Sequence, residues 1–307
     1  MKRYMTIVLA VFALVAVMGV AAGCGVNDGV GDGGTVSTTE SGPQTTVTLE
    51  PQETTTTVTD QITTTTEAQD TTTFNVYFSQ NEKMCATART VPKTSEVGTA
   101  ATKALLEGPT AEEKAAAMVS NVPEGTTFLG LTIKDGIATV NLSKEYASGG
   151  GSLSMAMRLA EVVFTLTQFS SVQGVNFELD GEPVEVFGGE GIVLDHPVNR
   201  SDYEELSPAI LVESPTFGQE AGSPLRIRGT ANVFEAVFQI NIVNRSGLII
   251  AEETVTATSG TGTRGTFDVT VPFELDQAGN GALIVFADSP QDGSHINVVE
   301  IPLKLIR

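Results

Sequence analysis

The sequence predicts an α+β domain, with helices on one face of a small, mainly antiparallel sheet, followed by an all-β immunoglobulin-like sandwich. Residues 74–202 mix strand-like alternation with helical patterns of apolar residues. Residues 208–307 lose the helical pattern and hold seven short strand patterns separated by turn residues. Residues 24–73 are threonine-rich and of low complexity, which predicts a disordered N-terminal tether.

The N-terminus has the layout of an export signal. Lys2 and Arg3 precede an almost wholly apolar stretch, Met5–Val20, and small residues then lead to Cys24. This ending resembles the bacterial lipobox, although alanine stands where leucine is usual. The resemblance implies a signal peptide over residues 1–23 and diacylation of the Cys24 sulfur, an anchor of two acyl chains such as palmitate. An uncleaved membrane-spanning helix is the alternative, and both interpretations place the remaining chain outside the cytoplasm.

The segment after Cys24 cannot fold by itself. Residues 25–73 contain 18 threonines and eight acidic residues, but no lysine, arginine or aromatic residue. Such a composition buries too little apolar surface to offset the chain entropy. A flexible coil of this length has an end-to-end distance of roughly 40 Å. We therefore expect a tether that gives the folded part reach above the membrane.

Charge and cysteine content exclude several classes of protein. The chain of 307 residues has a net charge of −20, which repels phosphate backbones, so nucleic acid is not an expected partner. If Cys24 is lipidated, Cys85 is the remaining thiol and no internal disulfide can form. One cation, Lys83, but no histidine is close to Cys85 in sequence, so we expect an ordinary buried or half-buried cysteine.

Residues 74–202 predict strands and helices in mixed order. The predicted elements are the strands Phe74–Phe78 and Ala86–Val91, the helix Val97–Leu106, a helical turn after Thr110, the hairpin Leu129–Leu142, the helix Ser152–Phe169 and the hairpin Val175–Val186. Gly108 and Pro109 end the first helix. Asp-Gly pairs at 135–136 and 180–181 are the strongest short-range hairpin signals.

Four segments of this region resemble a known domain. They are Leu105–Thr110, Val122–Thr126, Lys134–Asn141 and Phe164–Phe169. In residues and in order they are similar to the GerMN domain, which is named from sporulation and spore germination lipoproteins. The resemblance covers residues 74–202. It implies an envelope-located α/β module related to ring-building domains, with no known catalysis.

Residues 208–307 predict a β-sandwich. The candidate strands are Ile210–Val212, Leu225–Gly229, Ala236–Val243, Leu248–Thr256, Thr266–Val271, Ala282–Phe286 and Ile296–Leu305. Seven short strands in about one hundred residues are typical of an immunoglobulin-like sandwich. Four segments, Glu213–Pro215, Ile227–Ala236, Gly265–Phe267 and Asn297–Pro302, resemble the immunoglobulin-like domain of bacterial spore germination proteins. That domain commonly follows a GerMN domain.

Few residues are candidates for a binding site. Thr165, Thr167 and Gln168 are polar exceptions at the end of the second long helix, and they predict a small polar contact patch. Hydrogen bonding at the helix end, or exposure to solvent, is the alternative. Three glycines at 149–151 could cradle an anion at the helix N-terminus, or could form an ordinary flexible loop.

No catalytic pattern emerges, and we expect no enzyme, cofactor or metal site. The GxGxxG of residues 260–265 precedes a strand and not a helix, so it predicts a loop between strands. His196 and His295 lie in a connector and a late turn, without metal-ligand spacing. Adjacent acidic pairs such as Glu252–Glu253 point to opposite faces of a strand.

Three hypotheses of function follow. The first is a lipid-anchored binding or scaffold protein on the outer face of the cell membrane, with envelope proteins or peptidoglycan as partners. The second is a wall hydrolase whose two carboxyl groups converge in one cleft, roughly 5 to 9.5 Å apart. The third is an assembly protein that forms rings or homo-oligomers through the first domain.

Overall fold

The computed structural model of the chain describes residues 70–189 and 191–307. The predicted signal peptide, Cys24 and nearly all of the predicted tether lie outside the described residues. Within the described part of the chain, no helix is long and apolar enough to cross a membrane. The described residues form the two predicted folds in the predicted order, an α+β domain and then an all-β sandwich.

The α+β domain contains eight strands and three α-helices. They are β1 (Thr71–Gln80), β2 (Lys83–Pro92), α1 (Val97–Leu106), α2 (Ala111–Ala115), β3 (Phe128–Lys134), β4 (Ile137–Leu142), α3 (Ser152–Leu166), β5 (Gly174–Leu179), β6 (Glu182–Pro183), β7 (Val186–Phe187) and β8 (Ile192–Val193). Short 3-10 helices cover 144–147 and 200–206. Strand β1 begins at Thr71, three residues before the predicted start, because Thr71 still pairs with Pro92 of β2. Helix α3 ends at Leu166 and not at Phe169, since Thr167 leaves helical geometry.

The eight strands form three separate sheets, one of which is the short antiparallel pair β7–β8. Strands β1 and β2 form an antiparallel ribbon, and the four-stranded sheet has the order β3-β4-β5-β6. Its one parallel pair is β4–β5, because α3 crosses between these strands. Asp135 and Gly136 both have positive φ, 52° and 82°, as the predicted two-residue hairpin turn requires. The second Asp-Gly hairpin is short, with a two-residue β6.

The core of this domain lies around α1, α3 and β1, which contact one another. Helix α3 buries a continuous apolar face, including Leu159, Val162 and Val163, each without exposed surface. Helix α2 begins with the predicted cap at Thr110, whose side chain accepts a hydrogen bond from the Glu113 backbone. The Glu113 side chain bonds back to the backbone of Thr110 and completes a capping box.

The C-terminal domain is a sandwich of two sheets. Its strands are β9 (Ile210–Ser214), β10 (Glu220–Ala221), β11 (Leu225–Ala231), β12 (Val237–Val243), β13 (Ile249–Thr256), β14 (Gly265–Val271), β15 (Gly279–Asp288) and β16 (His295–Leu305). The sheets have the orders β10-β16-β15-β12-β13 and β14-β11-β9. The seven predicted strands are present, and the two-residue β10 is added. Phe238 and Phe267 meet edge to face across the core, with ring centroids 4.9 Å apart.

The GxGxxG segment is a loop between β13 and β14, as predicted. Close contacts with the backbone require glycine at both ends of the segment, Gly260 and Gly265. A Cβ at Gly265 would lie 2.2 Å from the Ser259 nitrogen, and one at Gly260 would lie 2.5 Å from the Val233 oxygen. These glycines therefore serve packing of the loop within the sandwich, and a phosphate-binding helix does not follow them.

Candidate functional site

A partly buried polar cluster joins the two domains. It brings together Tyr77 of β1, Arg200 of the 200–206 helix and Glu213 of β9. Arg200 Nη1 lies 2.7 Å from Glu213 Oε1, and Arg200 Nη2 donates to the Tyr77 hydroxyl at 3.1 Å. The Tyr77 hydroxyl in turn donates to Glu213 Oε1. Because burial raises the pKa of Tyr77 well above its usual value, this phenol stays protonated and remains a donor.

Arg200 is the centre of this cluster. Its guanidinium lies over the rings of Tyr77 and Phe164, 5.1 Å and 4.8 Å from the centroids. It also donates to the Phe164 carbonyl at 3.1 Å and to the Thr167 hydroxyl at 3.0 Å. One side chain of the 200–206 helix thus contacts β1, α3 and β9. Such planar, multidentate contact is specific to arginine and fixes the sandwich against the α+β domain.

A second polar contact fixes the 200–206 helix to the sandwich. Arg264 Nε lies 2.9 Å from Glu204 Oε2, and Arg264 Nη2 donates to the Pro208 carbonyl at 2.9 Å. Asn232 donates to Glu204 Oε1 at 2.9 Å. Burial tends to raise the pKa of Glu204, but these hydrogen bonds outweigh burial and lower it. The carboxylate therefore stays charged. Strand β2 also contacts β9, so the two domains pack as one unit.

A cleft of about 220 Å³ opens beside this junction. Met84, Cys85 and Met118 line it from the α+β domain, and Phe217 and residues 299–302 of β16 line it from the sandwich. Cys85 is half-buried, as expected, and its sulfur lies 3.4 Å from the Phe78 carbonyl. Burial raises the pKa of the Cys85 thiol to about 12, so it is a poor nucleophile. The chemistry of this cleft suits apolar side chains.

A larger and more open hollow, about 660 Å³, lies at the outer face of β5 and is completed by β6 to β8. Glu178, Glu185, Asp195 and His196 contribute to its wall. His196 Nδ1 lies 2.7 Å from Asp195 Oδ1, and Nε2 lies 3.3 Å from Asp202 Oδ1. The hydrogen bond with Asp195, and then that with Asp202, raises the pKa of His196. The imidazole is therefore held between two carboxylates and is poorly placed to act as a base on another molecule.

Of the predicted polar patch, Thr165 is buried, whereas Thr167 and Gln168 are half-buried. Thr165 has no exposed surface, and its hydroxyl accepts a hydrogen bond from the Tyr77 nitrogen. Thr167 donates back to the Val163 carbonyl at 2.6 Å. Gln168 accepts from the Asn75 nitrogen at 2.8 Å and donates to the Asn75 carbonyl at 2.7 Å. These bonds fasten the end of α3 to β1, which favours the alternative interpretation, hydrogen bonding at the helix end, over a contact patch.

The glycine loop before α3 contacts a positively charged side chain, Arg158. The buried Arg158 guanidinium donates to the carbonyls of Tyr146, Ser148 and Gly149 at 2.7, 2.9 and 3.0 Å. The loop therefore directs carbonyl oxygens toward positive charge. An anion cradle needs backbone N–H groups in that direction, so the anion-site interpretation is not supported.

Sequence reasoning missed the buried acid Glu161 on α3. Its side chain has no exposed surface and accepts hydrogen bonds from the Asn121 nitrogen and side-chain amide, both at 2.8 Å, and from Ser120 at 3.2 Å. Burial raises the pKa of Glu161 to about 7. The available signal was a glutamate in the middle of an otherwise apolar helix, between Leu159 and Val162.

Sequence reasoning also missed a second cluster, around Glu113, whose contacts stabilise the fold. The carboxylate of buried Glu113 takes a bidentate contact from Arg89, with both N–O distances 2.7 Å, and a hydrogen bond from Thr87. The neighbouring Glu112 is exposed, so the two adjacent acids do not share one site. Among the described residues, no group of three or more His, Cys, Asp or Glu side chains could hold a metal ion.

Comparisons with known proteins agree with this architecture. Residues 75–185 match the family Germane, described as sporulation and spore germination. Residues 209–294 match Gmad2, the immunoglobulin-like domain of bacterial spore germination. Over 111 residues the chain is 34% identical to lipoprotein LpqB of Thermobifida fusca strain YX, which is 36% of this chain and 17% of that relative's length.

Two solved structures of Bacillus subtilis GerM are also similar. The first GerMN domain of this sporulation protein is 26% identical, and the match covers 43% of this chain and 99% of that one, with a TM-score of 0.35. The tandem GerMN domains are 19% identical and cover 66% and 62% of the two chains, with a TM-score of 0.39.

Proposed function

Because the chain joins a GerMN domain of sporulation and spore germination to the immunoglobulin-like domain of bacterial spore germination, we propose that it is a non-enzymatic binding or scaffold lipoprotein of the cell envelope. Cys24 anchors it by lipid at the outer face of the cytoplasmic membrane, and the threonine-rich segment gives it reach. Its partners are envelope proteins or peptidoglycan. The name of the LpqB relative supports the assignment as a lipoprotein.

One observation carries the proposal of a binding role: the polar side chains at the junction hold the domains together. Hydrogen bonds join Arg200 to Glu213 and Tyr77, and others join Arg264 to Glu204. These hydrogen bonds link side chains of the two domains and of the 200–206 helix between them, so their evident role is to fix the domains together. A fixed pair of domains presents one continuous surface to a partner.

In-cell cross-linking tests the proposal. The full chain with a photoreactive residue on the sandwich surface is expressed in its own cells, irradiated and recovered from membranes. Discrete adducts with envelope proteins, or with peptidoglycan fragments, are expected. The control is the Cys24→Ser variant, which should lose these adducts with its anchor. A binding role is contradicted if the anchored protein gives no adduct at any of several surface positions.

The hydrolase alternative has one observation in its favour. Glu178, Glu185 and Asp195 share the open hollow beside β5. A general acid needs a raised pKa, whereas the hydrogen bond from His196 lowers the pKa of Asp195. Release of muropeptides from purified wall by the full chain, abolished by Glu178→Gln, would establish this alternative and remove the non-enzymatic assignment.

The assembly alternative has support at the edge of the four-stranded sheet. Strand β3 is an edge strand, and it carries the exposed apolar residues Leu129 and Ile133. Sedimentation of the full chain over a range of concentrations tests self-association. A monomer at every concentration removes the assembly alternative and leaves the binding role standing.

A further inference from the structure

Strand β16 leaves much of one edge without a partner strand. It has 11 residues, but β10 pairs only with Lys304 and Leu305. Strand β15 covers the other side of β16 along nearly its whole length. Among the described strands, none therefore pairs with the outer side of residues 295–301. Unpaired edges of this kind are templates for the addition of another strand.

The backbone groups of Glu300 point to this open side. Gly218 donates to the Pro302 carbonyl at 2.8 Å, and Lys304 donates to the Gln219 carbonyl at 2.9 Å, both on the β10 side. Hydrogen-bonding direction alternates with a period of two along a strand, so the N–H and C=O of Glu300 face the same way. Glu300 pairs with Ile284 inside the regular stretch of the ladder, beyond the irregularity near Ala287.

The cleft at the domain junction lies directly against this edge. Residues 299–302 line it on one side, and Met84 and Met118 line it on the other. Its volume of about 220 Å³ exceeds the roughly 150 Å³ at which an apolar cavity can hold a benzene molecule. A strand added along Glu300 would therefore find room beside it for an apolar side chain.

The two edges of the same sheet differ in protection. Strand β13, at the far edge, carries the exposed charges Glu252 and Glu253, which discourage strand addition. The open part of β16 instead carries exposed apolar side chains, with Ile296 39% and Val298 56% exposed. Glu300 is the one charged residue among the described residues that line the cleft.

Charge identifies the kind of partner. Residues 70–307 hold 30 acidic residues against 15 lysines and arginines. An acidic protein with a glutamate at the open edge favours a segment with basic side chains. We propose that the open edge of β16 and the adjoining cleft bind an extended, basic and apolar segment of another protein by strand addition. This inference rests on the proposed binding function and names the class of partner.

The probe is a fluorescein-labelled peptide of alternating valine and lysine, titrated into the full chain in detergent and followed by anisotropy. Saturable binding is expected. Peptides N-methylated at every backbone amide have no N–H to donate on either edge, and they should bind at least about tenfold more weakly. Glu300→Pro removes the N–H at the open edge and should have a similar effect, while the charge control Glu253→Gln on β13 should bind like wild type.

Glu300→Lys keeps the backbone donor and reverses the charge. It should lose the valine–lysine peptide and gain one of valine and glutamate, which tests the site even if Glu300→Pro folds poorly. Equal binding of methylated and unmethylated peptides would show non-specific attraction and overturn the proposal. Absence of binding would overturn it too, as would preference for a peptide copied from residues 35–66 of this chain.

The failure of this site is distinguishable from the failure of the proposed function. If in-cell cross-linking gives envelope adducts but the peptide results are negative, the β16 site is wrong and the binding role stands. If cross-linking also gives no adduct, the binding role falls as well.

Discussion

Removal of the buried Glu161 carboxyl gives a prediction that can be worked from the structure. The pKa of this group is raised from 4.5 to about 7 by burial, against the lowering effect of hydrogen bonds from Asn121 and Ser120. The folded state therefore binds a proton that the unfolded state releases between these two values. The resulting stability is fully present below pH 4.5 and is lost as the pH rises through about 7.

The magnitude follows from the two pKa values. Each pH unit between them is worth about 1.4 kcal/mol, so the loss between pH 4.5 and alkaline pH is about 3 kcal/mol. Glu161→Gln keeps the shape and can keep the hydrogen bonds, because the amide oxygen accepts from Asn121 and the amide nitrogen can donate to the Ser120 hydroxyl. The variant should therefore match wild type in acid and exceed it in base.

Urea unfolding followed by circular dichroism, at about pH 5, 7 and 9, measures the difference in free energy of unfolding between variant and wild type. This difference isolates Glu161 from the other titrating groups, which both proteins share. Glu112→Gln, on the exposed side of α2, is the matched control and should follow wild type. A difference between Glu161→Gln and wild type that does not change with pH would refute the reasoning.

Three further predictions concern stability. Glu113→Ala leaves the half-buried Arg89 guanidinium without its partner and should cost about 3 kcal/mol by urea unfolding. Burial raises the pKa of the Glu113 carboxyl, but its hydrogen bonds outweigh burial and lower that pKa, so the contribution should fade as the pH falls through the folded pKa. Gly265→Ala should destabilise by about 1–3 kcal/mol through backbone overlap, whereas Gly130→Ala, in open space, should be close to neutral in thermal unfolding. A double-mutant cycle of Arg200→Ala and Glu213→Ala should give a coupling of about 1–3 kcal/mol, and additive single effects would contradict a shared junction.

Local patterns predicted most of the elements. Helix α1 has the predicted bounds because Gly108 and Pro109 set its end within the sequence itself. The Asp135–Gly136 turn fixed the register of β3 and β4. The apolar spacing predicts an end of α3 at Phe169, whereas the chain has already left the helix after Leu166.

The candidate site could not be predicted in the same way. Arg200 meets residues from β1, α3 and β9, and its contact to Tyr77 spans 123 positions of sequence. Neither periodicity nor a local motif predicts a contact between residues so far apart in sequence. The polarity of Thr165 interrupts an apolar face and leaves open both a contact patch and helix-end hydrogen bonding, and the sequence does not reveal its partner, the backbone of a distant strand. The same criterion, a polar residue that interrupts an apolar helix face, also applies to Glu161, which the sequence analysis does not name.

The most direct test of the central claim, a lipid-anchored binding protein, is metabolic labelling with an alkyne analogue of palmitate in intact cells. Wild type and Cys24→Ser are compared for label and for fractionation between membrane and soluble pools. We expect wild type to be labelled and membrane-bound, and Cys24→Ser to lose both the label and its membrane association, because two acyl chains provide stable anchoring. An unlabelled wild-type protein, or a Cys24→Ser variant that keeps both properties, would contradict the account.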